Sequence, residues 1–306
     1  MSRVIITGGT GLIGRALTNE LSYAGYEVLL LSRNPARAQG LPQGARAVAW
    51  DGRTAQGWGE RVNGDTAIVN LAGEPIAPRP WWLPGRKARI VASRIDAGRA
   101  VTAAVQAAAS RPRVVIQASA VGYYGLHGDD VVTEETPPGT DFLAKLCVDW
   151  EASTAEVETL GVRRAIARTG LLLARNGGFL PLTALPFRFY AGGPFGNGRQ
   201  WWPWIHLADE VGALRFLIET TAARGPFNLS APNPVTNAQF TRTLAQVLHR
   251  PAALPAPAFA MKLALGELAE LLILGGQRQV PKRLQELGYR FRFTDLAGAL
   301  RDLLGQ

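Results

Sequence analysis

Three glycines at fixed spacing follow the apolar run Val4-Ile5-Ile6, in the stretch Thr7-Gly8-Gly9-Thr10-Gly11-Leu12-Ile13-Gly14. A strand that runs into such a turn and on into a helix can cradle a nucleotide pyrophosphate. Gly8 permits the tight turn, Gly11 lets backbone approach the phosphates, and Gly14 lets the helix pack close to the strand. The helix start adds free N–H groups and the positive end of its dipole. A plain glycine-rich turn is the alternative, and the strand-before, helix-after context argues against it. The next strand, Val28-Leu29-Leu30-Leu31, leads into Ser32-Arg33-Asn34. An acid there would bond the adenosine ribose of NAD, and none is present. Arg33, with Ser32 and Arg37 nearby, offers charge-assisted hydrogen bonds to a 2′-phosphate instead. The expected cofactor is therefore NADP(H) rather than NAD(H). The competing reading is that Arg33 is one more surface arginine in an arginine-rich chain.

Those residues need a scaffold, and the first half of the chain supplies the pattern for one. Short apolar runs at 4–6, 28–31, 47–50, 67–71 and 114–118 read as strands, and 12–23 and 86–109 read as helices. Continuous apolar strands that alternate with helices indicate a parallel sheet covered on both faces. Right-handed crossovers then give an α/β, doubly wound, Rossmann-type fold. After Gly170 the texture changes to glycine-marked loops. Residues 205–220, 237–248 and 259–272 read as helices and 227–229 as a strand. The expected division is a nucleotide-binding domain over 1–170, its sheet completed by parts of 200–230, and a mainly substrate-binding lobe over 171–306.

Composition narrows the classes further. The chain has 306 residues, 47% hydrophobic and 19% charged, which is globular rather than disordered. The single Cys147 excludes an internal disulfide, and with only His127, His206 and His249 beside it no metal site is expected. The formal charge is +9, and only Lys87, Lys145, Lys262 and Lys282 of the 33 cationic side chains are not arginine. The arginines are dispersed, so no nucleic-acid footprint is expected. The stretch 252–275 is interrupted by Pro255, Pro257, Lys262, Glu267 and Glu270, which argues against a membrane span. A cytoplasmic protein is the expectation.

Taken together, these residues resemble the extended short-chain dehydrogenase/reductase family. Thr7 to Gly14 is similar to its cofactor loop. Asn70-Leu71-Ala72-Gly73 is similar to the element that follows its fourth strand, and Trp204-Ile205-His206-Leu207-Ala208-Asp209 to one near its second lobe. More narrowly, the chain resembles an atypical, epimerase/dehydratase-like subgroup, also described as nucleoside-diphosphate-sugar epimerase-like. The supporting stretches are 70–76, 119–125, Phe142-Leu143-Ala144, Cys147, Trp150-Glu151 and 276–304. The resemblance adds Asn70, Leu71, Ala72 and Gly73 to the expected cofactor residues and implies hydride transfer with a substrate held by the second lobe.

The resemblance also exposes a departure. The wider family uses Tyr-x-x-x-Lys with an upstream serine, the Tyr as acid/base and the Lys on the nicotinamide ribose. No tyrosine in this chain is followed by Lys at that spacing. Aligning Glu151 to the family's glutamate places Leu143 and Cys147 where Tyr and Lys would stand. The expected catalytic candidates become Ser119, at the end of the fifth strand, and Tyr123 and Tyr124 on the following loop. Aromatic packing is the other reading of the two tyrosines. Cys147 reads as a small buried hydrophobe and His206 as a structural residue beside Asp209. Trp81-Trp82 and Trp201-Trp202-Trp204 suit a sugar-like or aromatic small-molecule substrate, with simple burial as the alternative. Arg188, Arg199 and Arg278 are candidates to clamp an acidic group. A homodimer is the assembly considered. A catalytically inactive NADP(H) sensor is the rival function.

Overall fold

A computed structural model describes residues 2–76, 84–266 and 269–305. Its central sheet has seven strands: β1 (Arg3–Thr7), β2 (Glu27–Ser32), β3 (Ala45–Ala49), β4 (Thr66–Asn70), β5 (Val114–Ala120), β6 (Arg163–Thr169) and β7 (Gly225–Leu229). Their order is β7-β6-β5-β4-β1-β2-β3. β1 pairs in parallel with β2 and with β4, so Ile5 stands between Leu29 and Ile68. β2 and β3 are also parallel, as are β4 and β5. The chain builds outward from β1 to β3, crosses back, and builds outward again from β4. The gap between the ends of β1 and β4 is thus the topological switch point, where open α/β sheets take their ligands.

The strands are apolar on both sides because both sides are covered. Pleating sends Ile5, Leu29, Ile68 and Val115 to one face, where Ala97, Ala100, Val101, Ala104 and Val105 of helix α2 (Arg86–Ala107) pack on them. Val4, Ile6, Leu30, Val69 and Ile116 alternate with these and are equally buried. Helix α1 (Leu12–Tyr23) follows the glycine turn and buries Gly14, Leu17, Thr18 and Leu21. Helix α3 (Phe142–Ala152) carries the positions the resemblance assigns to catalysis, and α4 (Leu207–Glu219) follows Trp204-Ile205-His206.

By its contacts the chain groups into two compact units. The first comprises Met1–Ser119, Leu146–Ala167 and Val211–Pro226, and the second Ala120–Lys145, Arg168–Glu210 and Phe227–Gln306. The second unit has its own core of Leu173, Phe187, Trp202, Trp204, Phe240, Leu244 and Leu300. Trp202 meets Phe179 and Phe240 edge-on at 4.8 and 5.1 Å. Helices α5 (Asn237–Leu248) and α6 (Leu296–Leu304) supply part of that core.

Some local expectations shift. Trp50 lies beyond the end of β3, its indole N–H donating to the Thr54 carbonyl at 2.7 Å. Trp204–His206 is a short strand paired with Leu171–Ala174, not the first turn of α4. The His206 Nδ1 accepts the Ala208 N–H at 3.0 Å and so caps α4 at that point. The helix expected over 259–272 runs from Ala258 to Leu265 and stops at Gly266, whose φ of +59° a continuing helix does not accommodate. Glu270–Leu274 is a separate π-helical turn.

Candidate functional site

The glycine turn is built by close approach. Gly8 has φ +66°, and a Cβ there would lie 2.9 Å from the backbone carbon and oxygen of Leu71. The turn after β1 therefore touches the chain leaving β4, across the switch point. Gly14 allows a different contact from the one expected. Its Cβ would lie 2.6 Å from the Gly8 carbonyl oxygen and the Gly9 Cα, so it seats α1 on the loop rather than on the strand. The approach to a strand belongs to Gly9, whose Cβ would meet the Leu30 Cβ at 2.8 Å. Spacing alone hid that role, since Gly9 falls outside the three-glycine pattern. Gly11 caps α1 with no side-chain bond, and the first turn holds no acidic residue. The N–H groups of Leu12 and Ile13 thus open a helix that is electrostatically favourable to an anion. Thr10, Leu12 and Ile13 are half-buried.

Thr7 and Asn70 hold the strand ends in register through their side chains. The Thr7 hydroxyl donates to Asn70 Oδ1 at 2.6 Å and accepts the Ala72 N–H at 3.1 Å. Asn70 Nδ2 donates to Gln117 Oε1 at 2.9 Å, which also accepts the Thr154 hydroxyl at 3.1 Å. All four side chains are fully buried. This chain of bonds ties β1, β4 and β5 together beneath Leu71-Ala72-Gly73. With their polar atoms so engaged, the Thr7 and Asn70 side chains hold the backbone of Leu71-Ala72-Gly73 in place.

At the end of β2, Ser32 is buried and its hydroxyl accepts the Asn34 N–H at 3.1 Å. Arg33 is exposed and has no ion pair or hydrogen bond among the described residues. Arg15 of α1 donates to the Thr10, Arg37 and Gln39 carbonyls, which fixes the 37–39 segment against the glycine turn. At the end of β5 the Ser119 hydroxyl donates to Glu151 Oε1 at 2.6 Å, both residues being buried. Leu143 and Cys147 are buried on the same helix as Glu151. Near them, Arg94 of α2 lies over the Trp150 ring at 4.9 Å.

The second unit gathers the tyrosines into a separate polar cluster. Tyr124 is buried, and its hydroxyl donates to Asn228 Oδ1 at 2.6 Å and accepts from Arg168 Nη1 at 3.1 Å. The Arg168 guanidinium lies 3.4 Å over the Tyr123 ring. Glu134 accepts the Asn228 and Arg283 N–H groups at 3.0 and 3.2 Å, and burial raises its proton affinity. Glu210 is buried with Thr169 donating to it at 2.8 Å, and burial pushes its carboxyl up to about 8. His206 stacks on Phe293 at 4.0 Å and faces Asp302 at 3.2 Å, while burial lowers its proton affinity. Trp202 and Trp204 are core residues. Trp81 and Trp82 lie outside the described residues. Arg278 stacks on Trp201 at 4.5 Å, whereas Arg188 and Arg199 are exposed surface residues. Among the described residues no group of three or more His, Cys, Asp or Glu can hold a metal ion, and no helix is long and apolar enough to cross a membrane.

Comparison with known proteins agrees with this architecture. Residues 4–230 match the family model described as the NAD dependent epimerase/dehydratase family, and 256–303 match a domain of unknown function. The epimerase family protein YfhF of Bacillus subtilis is 40% identical over 302 residues, which cover 98% of this chain and 97% of that protein. A chloroplastic SDR39U1 homolog of Arabidopsis thaliana is 38% identical over 303 residues, covering 98% of this chain and 86% of that one. The crystal structure of human epimerase family protein SDR39U1 (isoform 2), which was obtained with NADPH, superposes with a TM-score of 0.88. It is 33% identical, and the match covers 99% of each chain.

Proposed function

The chain belongs to the NAD dependent epimerase/dehydratase family, and from that premise we propose that it binds NADP(H) and exchanges a hydride with a small molecule. One observation carries the cofactor choice: Arg33, exposed and unpaired among the described residues, stands at the end of β2 with no acid beside it. A ribose 2′-hydroxyl needs a hydrogen-bond acceptor there, whereas a 2′-phosphate needs a cation. The human relative crystallised with NADPH supports the same choice.

The residues present fit the group. A Cβ at Gly8, Gly9 or Gly14 would collide with Leu71, with Leu30 or with the Gly8 carbonyl, so glycine at these positions lets the turn close tightly at the strand ends, where a pyrophosphate would sit. Arg33 and Ser32 would hold the phosphorylated ribose, and the Gly11–Gly14 turn the diphosphate. Asn70, through Leu71-Ala72-Gly73, would support the far half. When bound, NADPH supplies the hydride. The chain itself supplies proton handling, which we assign to Ser119. Its hydroxyl is already hydrogen-bonded to Glu151, which orients it; the pair would take a proton from a substrate hydroxyl when hydride leaves for the oxidised cofactor and return it when NADPH delivers hydride. Tyr124 is a poorer candidate, since its hydroxyl is engaged by Asn228 and Arg168.

Titrating the purified protein with NADPH and NADH, followed by cofactor fluorescence, tests the reading. NADPH is expected to bind more tightly. Binding of neither refutes the function, and tighter NADH binding refutes the role of Arg33. The buried Leu143 and Cys147 keep a second reading open, a cofactor sensor without turnover. Incubation with NADPH and a cell extract separates the two. Oxidised cofactor favours the enzyme, and unchanged cofactor with a co-purifying partner favours the sensor.

A further inference from the structure

Arg94 is a buried cation held by backbone carbonyls, with no ion pair among the described residues. It projects from α2 and is only 9% exposed. Its guanidinium lies against the chain leaving β4: a Cβ on Gly73 would come within 3.0 Å of Arg94 Cζ. Nη1 donates to the Glu74 and Ile90 carbonyls at 3.0 and 3.1 Å. Among the described residues no carboxylate lies within ion-pair distance of it. The nearby Glu74 carboxylate is taken by Arg86, which is buried, and by Arg89 at 3.8 Å. Arg86 and Arg89 thus contact the Glu74 carboxylate, and Arg94 feels it only at longer range. Burial disfavours the charged form of Arg94, yet a guanidinium does not give up its proton at neutral pH. A buried charge left in that state is stabilised by an anion or by a ligand rich in hydrogen-bond acceptors.

The sheet order says which part of a ligand reaches it. If Arg33 takes the 2′-phosphate at β2 and the glycine turn takes the diphosphate at β1, the dinucleotide runs across the strand ends in the order β2, β1, β4. Neighbouring strands are about 4.8 Å apart, so its remaining half lies over the ends of β4 and β5. That is where Gly73, Arg94 and Ser119 stand.

We propose that Arg94 is a cofactor-positioning residue, its guanidinium donating to oxygen atoms of the nicotinamide-ribose half of NADP(H). The assignment rests on the cofactor reading above. It gives this strand end a cation from α2 where α3 presents only Cys147. The close approach of Gly73 to the guanidinium leaves little room for a Cβ at that position.

The test compares two probes on the full chain. NADPH carries both halves of the dinucleotide, and adenosine 2′,5′-bisphosphate carries only the adenine end. Both are titrated calorimetrically into wild type, Arg94→Gln and Arg94→Lys. For Arg94→Gln, NADPH affinity should fall tenfold or more while the bisphosphate binds as in wild type. Arg94→Lys should recover part of the loss. An unchanged NADPH affinity, or equal losses for both probes, overturns the proposal. If Arg94→Gln does not fold, Arg94→Lys carries the readout alone, with a smaller loss of NADPH affinity and none of bisphosphate affinity. Wild-type protein that binds neither probe overturns the cofactor reading together with this one. Wild-type binding of both with an indifferent Arg94→Gln overturns this one alone.

Discussion

Glu210 makes stability depend on pH in a way that one substitution should abolish. It is buried in the first turn of α4, with one oxygen bonded by Thr169 and the other without a partner among the described residues. Its carboxyl is shifted from 4.5 to about 8, and loss of hydration is the leading cause. A folded-state value above the unfolded one means that the folded protein holds the proton more tightly. The stabilisation is complete below the unfolded value of 4.5, declines as pH rises, and is lost by about pH 8. Each pH unit within that window costs about 1.4 kcal/mol, so the loss between pH 5 and pH 7 is about 3 kcal/mol. Glu210→Gln keeps the shape and the acceptor for Thr169 and has no proton to lose. Urea unfolding of both proteins at pH 5, 6, 7 and 8 should show the variant gaining about 3 kcal/mol on wild type between pH 5 and pH 7. Buried His206 also titrates, in both proteins alike, and cancels in the difference. A difference that does not change with pH would mean that Glu210 is ionised in the folded state, and the reasoning would fail.

Other outcomes follow from the same geometry. Arg33→Ala should weaken NADPH roughly ten- to a hundredfold, the size of one charge-assisted phosphate contact, and leave NADH unchanged in a fluorescence titration. Gly8→Ala combines a φ of +66° with a Cβ 2.9 Å from the Leu71 carbonyl. It should lower stability by about 2 kcal/mol or more, read as a drop in Tm by calorimetry. At Gly98 a Cβ would lie 1.8 Å from the Ser153 hydroxyl. Gly98→Ala should therefore destabilise, and Ser153→Gly in the same chain should restore much of the loss in a double-mutant cycle.

The fold was legible where one physical cause acts alone. A strand buried on both faces must be apolar throughout, so Val4-Ile5-Ile6 and Val28 to Leu31 announce themselves. Amphipathic spacing marked α1 from Leu12 to Tyr23, the span the structure shows. Legibility failed where tertiary contacts decide. Trp204-Ile205-His206 continues smoothly into a helical pattern, and only pairing with Leu171-Leu172-Leu173 makes it a strand. A glycine in an apolar stretch does not reveal whether its φ is positive, so the stop at Gly266 could not be read from the pattern.

The candidate site divides along the same line. Phosphate recognition is local chemistry: a turn, a helix start and Arg33 within a short stretch of chain carry it, and sequence order preserves that neighbourhood. The far half of the cofactor has no such run. Ser119 meets Glu151 across 32 residues, and Gly73 meets Arg94 from the next helix. Nothing in the spacing of these residues distinguishes Arg94 from the other arginines. What marks it is burial against Gly73 at the exit of β4, a property of the folded chain alone. A cation acts through space, so a replacement for the missing Lys at position 147 need not stand on α3. A neighbouring helix can place one at the same strand end, so the absence of Lys from α3 does not by itself leave that end of the site without charge.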